Sequence, residues 1–171
     1  MLLSEADRFS DLTIQGLPFT LDEFDRNRLM AAADALDAVR PPTGRKRWES
    51  YAHEGPPESL SGGSAILFQT EVTLFNEGSD WLELSLDVAF YAVPSLIVTA
   101  SVEVACWCEP DHNIHFAEQH QWLVGSAGPL ADAFEAGTAA LHGWIVDGPR
   151  EPEPWRVRAG LPGPKGGGGG I

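Results

Sequence analysis

The most reactive side chains of the sequence are gathered in one stretch, with Cys106, Cys108, His112, His115, Glu118 and His120 all falling within 106–120. Cysteine with histidine is the donor set of zinc, cysteine beside a base is a nucleophile, and a carboxylate beside an imidazole is an acid–base pair. Spacing separates these chemistries. A structural zinc site needs four converging ligands, with its cysteines on a turn. Cys106-Trp107-Cys108 instead continues the alternation of Leu96, Val98, Ala100, Val102 and Val104, where cysteine acts as a small hydrophobe. By the same alternation His115 leaves the opposite face from the cysteines, so no metal is expected. An i, i+2 pair on one strand is also poorly placed for a disulfide, and two reduced thiols are expected. Cys108 as a nucleophile, with His112 or His120 as base, has no helix N-terminus or cationic cluster beside it to lower its pKa.

Glu118 and His120 are the sharper candidates for catalytic or ligand-binding groups. If Val102, Val104, Cys106 and Cys108 face a core, antiparallel pairing brings Ile114, Phe116, Glu118 and His120 to the same face. A carboxylate and an imidazole would then lie beneath covering helices, in a pocket shared with Cys106 and Trp122. Three plainer arrangements compete: a bulge near Ala117 that turns both to solvent, a position past the helix-covered area, or a satisfied structural pair.

A second group is suited to holding a partner. Arg45-Lys46-Arg47-Trp48 sets three cations beside an indole, and Trp155, within Pro154-Trp155-Arg156, offers a large anchor to a groove of a partner or of its own domain. Against nucleic acid stands the net charge of −14, which repels phosphate and anionic membrane alike. A basic or neutral protein partner is favoured, although solubility alone accounts for an acidic chain. No Gly-rich phosphate loop follows a strand, and neither a Gly-x-Ser-x-Gly elbow nor a His-Glu-x-x-His helix is present. No cofactor is expected, and an enzyme is the minority reading.

The elements that must position these residues follow from periodicity. Thr20-Leu21-Asp22-Glu23 reads as a capping box with Phe19 and Phe24 as a hydrophobic staple, opening a helix over 21–39 that Pro41-Pro42 ends. Residues 40–63 form a long Pro/Gly-rich connection. Period-two alternation then marks strands from Ile66 to Leu74, from Leu82 to Phe90, from Leu96 to Cys108, and near 113–124. Pro129, Leu130, Phe134, Gly137, Leu141 and Trp144 mark a second helix over 129–145. Residues 146–171, with Glu151-Pro152-Glu153-Pro154 and five consecutive glycines, read as an extended or disordered tail.

The 171 residues therefore predict a single α+β domain over 1–145, a four-stranded antiparallel meander with an N-terminal and a C-terminal helix on one face. Such a meander leaves sheet edges open to a second copy, and no oligomer is assigned. With neither an apolar span nor a secretion signal, the chain is expected in the cytoplasm. The function expected is a non-catalytic interaction module of inhibitor, immunity or chaperone type. The alternative is a small-ligand or enzymatic pocket on the helix-covered face.

Overall fold

A computed structural model describes residues 20–39, 44–45, 49–50, 64–91, 95–105 and 115–161. Its central element is an antiparallel sheet of four long strands, β3 (Ser64–Glu77), β4 (Asp80–Tyr91), β5 (Ser95–Val104) and β6 (His115–Val124). Each pairs with the next in sequence, as short connections require. The turn from β3 to β4 places Gly78 at φ +61, a left-handed conformation that glycine supplies without a Cβ clash.

Within the expected 40–63 connection, β1 (Gly44–Arg45) and β2 (Glu49–Ser50) pair antiparallel with β3 on the side away from β4. Among the described residues the sheet therefore has two unlike edges, one carrying these short strands and one formed by β6.

Alternation divides the sheet into two faces. Leu82, Leu84, Leu86 and Val88 of β4 stand opposite Val104, Val102, Ala100 and Val98 of β5, and all are buried. Three helices close this face: α1 (Glu23–Asp37), α2 (Ala127–Asp147) and α3 (Pro152–Arg158). Leu29, Ala33 and Leu36 of α1, Leu130, Phe134 and Leu141 of α2, and Trp155 of α3 join the strand residues in one apolar cluster. The α+β class and the element order helix, meander, helix are those the sequence predicts. Gly137 lets α2 come close to the sheet, since a Cβ there would meet Leu86 Cδ1 at 2.6 Å and Val98 Cγ1 at 3.3 Å.

The start of α1 differs from expectation. Asp22, not Thr20, is the N-cap, its carboxylate accepting from the Asp25 amide at 2.8 Å. A carboxylate at this position both satisfies an orphan N–H and favours the positive end of the helix dipole. Phe24 consequently points outward, 69% exposed, with the Arg28 guanidinium 5.9 Å from its ring centroid, so it does not act as a staple. Arg28 also bridges to α2, donating from Nε to Glu135 at 2.8 Å and from Nη2 to Asp132 at 2.6 Å.

The larger correction concerns the expected tail, because 152–158 is the helix α3. Pro152 occupies a first-turn position where its missing N–H is harmless, so proline opens the helix instead of keeping the chain extended. Trp155 is 1% exposed and donates from Nε1 to the Pro149 carbonyl at 2.8 Å. Arg156 is equally sequestered, donating from Nε to the Ala105 carbonyl at 2.9 Å and pairing through Nη2 with Asp80. These bonds tie α3 to the end of β5 and the start of β4.

Replacing Arg156 with methionine, which keeps most of the volume, leaves Asp80 and the Ala105 carbonyl without this donor. We expect a loss of about 3 kcal/mol in equilibrium urea unfolding, and a smaller loss for Asp80→Asn because that carboxylate is 31% exposed. Equal stability of Arg156→Met and the parent chain would contradict the anchoring role.

Candidate interaction surface

The residues singled out in the sequence are only partly brought together. Glu118 pairs across the strands with Val102 and His120 with Ala100, so both stand on the helix side of the sheet. They do not lie beneath the helices. Their side chains are 43% and 49% exposed, because β6 is the outermost strand and the pair projects past the helix-covered area. Glu118 Oε1 lies 3.6 Å from His120 Nε2, a separation at which a half-exposed pair contributes little. The His120 ring stacks on Trp144 of α2, with centroids 5.8 Å apart at 19°, and lies 6.2 Å from Trp122. Trp144 in turn meets Trp155 edge-on at 6.5 Å.

A bulge accounts for the other departures in this strand. Glu118 faces Val102, but Phe116 faces Glu103, so Ala117 is an extra residue in the ladder. Phe116, expected on the core face, is turned to the other side and is 48% exposed. His115 is shifted in the opposite sense and stands across from Val104, on the helix side. Cys106, Cys108, His112, Lys46, Arg47 and Trp48 lie outside the described residues. Arg45 takes part in β1 opposite Val72. Trp155, expected as a possible partner anchor, is committed to the chain's own core.

The face of the sheet opposite the helices holds the charged groups that reasoning from the sequence did not assemble. Cross-strand rows run Gln69–Asp87–Thr99, Glu71–Ser85–Ser101 and Thr73–Glu83–Glu103. Thr99 and Ser101 are buried at 6% and 2%, so this face is partly removed from water even though its residues are polar. Ser85 Oγ and Ser101 Oγ share a hydrogen bond of 2.7 Å, and Ser85 Oγ donates to Glu103 at 3.4 Å. Glu83 and Glu103 are direct cross-strand partners, a like-charge pairing that destabilises a sheet.

Electrostatics follow from that placement. Burial pushes the Asp87 carboxyl up to about 6. The Glu103 carboxyl is also raised, first by burial and then by the neighbouring Glu83, Glu71 and Asp87, with the Ser85 hydrogen bond opposing. Alternation alone does not assemble this cluster: counted from the turn at Asn76–Asp80, Glu71 would fall across from Leu86, and it is the register shift between Thr73 and Phe75 that brings Glu71 opposite Ser85 and Thr73 opposite Glu83.

An open cleft of about 400 Å³ lies elsewhere, where Glu77 and Asp80 meet Glu151, Glu153 and Arg156 of the α3 region. Its four carboxylates are partly offset by Arg156, which pairs with Asp80.

A carboxyl raised in the folded state binds its proton more tightly there than in the unfolded chain. Its contribution to stability is therefore fullest below its unfolded value, about 4, and is lost as pH rises through about 6. Asp87→Asn should flatten this decline. We expect the variant to be more stable than the parent at pH 7 by about 1–2 kcal/mol, after allowance for partial exposure, and nearly equal at pH 4, in urea unfolding across that range. A variant less stable at pH 7 would contradict the desolvated charge.

Compared with protein-family models, with curated proteins and with solved structures, the chain matches none, and its functional reading rests on its own residues.

Proposed function

We propose that the protein is a non-catalytic interaction module that holds a basic protein partner against the acidic face of its sheet. The observation that carries this reading is the set Glu71, Glu83, Asp87 and Glu103 on one face, with Asp87 and Glu103 partly desolvated and Glu83 opposite Glu103. Desolvation of Asp87 and Glu103 costs the isolated chain free energy, and a lysine or arginine brought beside them by a partner would offset that cost where water screens poorly. The net charge of −14 adds long-range attraction, which speeds encounter with a cationic partner and disfavours anionic ones.

The catalytic alternative has less support. Glu118 and His120 stand half in solvent at the sheet edge, and the described core beneath the helices is closed by apolar side chains. General acid–base groups act best where a site excludes water and fixes their geometry, and neither condition is met by this pair.

The test is retention of a basic protein from the native host on the immobilised chain, graded by salt. We expect elution as ionic strength rises, and loss of most of the retained partner when Asp87→Asn and Glu103→Gln are combined in a chain that still folds. Recovery of the chain alone, or retention indifferent to both salt and the double substitution, would overturn the reading.

A further inference from the structure

The two sheet edges are treated differently by the fold. Beside β3 run β1 and β2, whereas among the described residues β6 pairs with β5 alone. An unpaired strand edge is a template for a further strand, and proteins usually blunt it with lysine, proline or a covering segment. His115–Val124 contains no lysine, arginine or proline, and Glu118 is its one acidic residue. The bulge at Ala117 disturbs only one end, leaving Glu118–Val124 in continuous register with β5. The exposed side chains of this run differ by face. On the helix side Glu118 stands beside the stacked rings of His120 and Trp144, an acidic and aromatic shelf of the kind that receives a guanidinium or ammonium group. On the other side Leu123 is 74% exposed, with Gln119 and Gln121.

We propose that the edge of β6 takes an extended, cationic segment of the partner as an added strand, with arginine or lysine seated on Glu118 and the His120–Trp144 shelf and an aliphatic side chain against Leu123. The chemistry is that of strand addition, in which main-chain hydrogen bonds give affinity and alternate side chains give specificity. An alternating cationic and aliphatic sequence matches both faces because side chains along a strand alternate with period two. The assignment rests on the reading that the partner is a basic protein, and it names the part of the partner that is read in detail.

The probe is the blocked peptide acetyl-Val-Arg-Val-Arg-Val-Arg-Val-amide, titrated into the full chain and followed by tryptophan fluorescence. Two N-methylated forms are compared, one methylated at its valine amides and one at its arginine amides. In an added strand alternate amides point to opposite edges, so one form should lose binding by about tenfold or more while the other keeps it. Leu123→Lys and Glu118→Lys, both at exposed positions, should each weaken the parent peptide by a similar factor with the circular dichroism unchanged. If both methylated forms bind like the parent, the peptide is held by charge alone; strand addition is then wrong while the acidic-face reading stands. If no peptide binds although a salt-sensitive basic partner is retained from the host, the edge is again excluded and the broader reading survives. A concentration-dependent dimer in sedimentation that Leu123→Lys dissolves would assign the edge to a second copy and overturn the proposal.

Discussion

The pairing of β4 with β5 runs without a register shift from Leu82↔Val104 to Tyr91↔Ser95, and the rest of the molecule is arranged around that ladder. Because side chains alternate, one register places leucine and valine together on one face and Glu83, Ser85 and Asp87 against Glu103, Ser101 and Thr99 on the other. A slip by one residue would set carboxylates beneath the helices and leucines in water. The helices answer to the apolar side. Gly137 lets α2 settle over Leu86 and Val98; Leu29, Ala33 and Leu36 of α1 join the same apolar cluster, and Arg156 fastens α3 to one end of the ladder through Asp80 and Ala105.

The register that builds the core also creates the electrostatic problem on the far side. Thr99 and Ser101 are buried on that side, and desolvation raises the Asp87 and Glu103 carboxyls. A sheet optimised for stability alone would alternate signs in such rows, as favourable cross-strand pairs do. Here the isolated chain sets Glu83 opposite Glu103. Functional surfaces commonly hold groups at the expense of stability, and under the proposed reading a complementary charge brought by the partner offsets the desolvation of Asp87 and Glu103.

Alternation made β4 and β5 legible because Leu82–Phe90 and Leu96–Val104 keep strict period two on a half-covered sheet, and the helices were legible from their apolar stripes. The bulge at Ala117 was named as a possibility, but no period-two count could fix its place or show that it would turn Phe116 and His115 while leaving Glu118 and His120 on the helix side. Thr20 and Asp22 are both residue types that favour an N-cap, and the structure places Asp22 there with Leu21 buried just before it. The helix α3 was hidden by Glu151-Pro152-Glu153-Pro154, which reads as extended until Trp155 and Arg156 find buried partners from distant strands. Those partners are tertiary, and local propensity carries no trace of them.

Net charge and edge geometry then bear on each other. An unblunted edge strand with an exposed Leu123 invites pairing between copies, yet each copy carries a charge of −14. Two such chains repel over about a Debye length, roughly 8 Å at physiological salt, while a cationic chain is drawn across the same distance. Under the proposed reading the acidic surface does for β6 what lysines and prolines do within other edge strands, acting from outside the strand and selecting by sign. On the opposite edge, where β1 and β2 occupy β3, such protection is supplied by the chain itself. If β6 takes a partner strand as proposed, it cannot be blocked by its own residues, and discrimination then falls to the surrounding field, which the composition of this chain supplies.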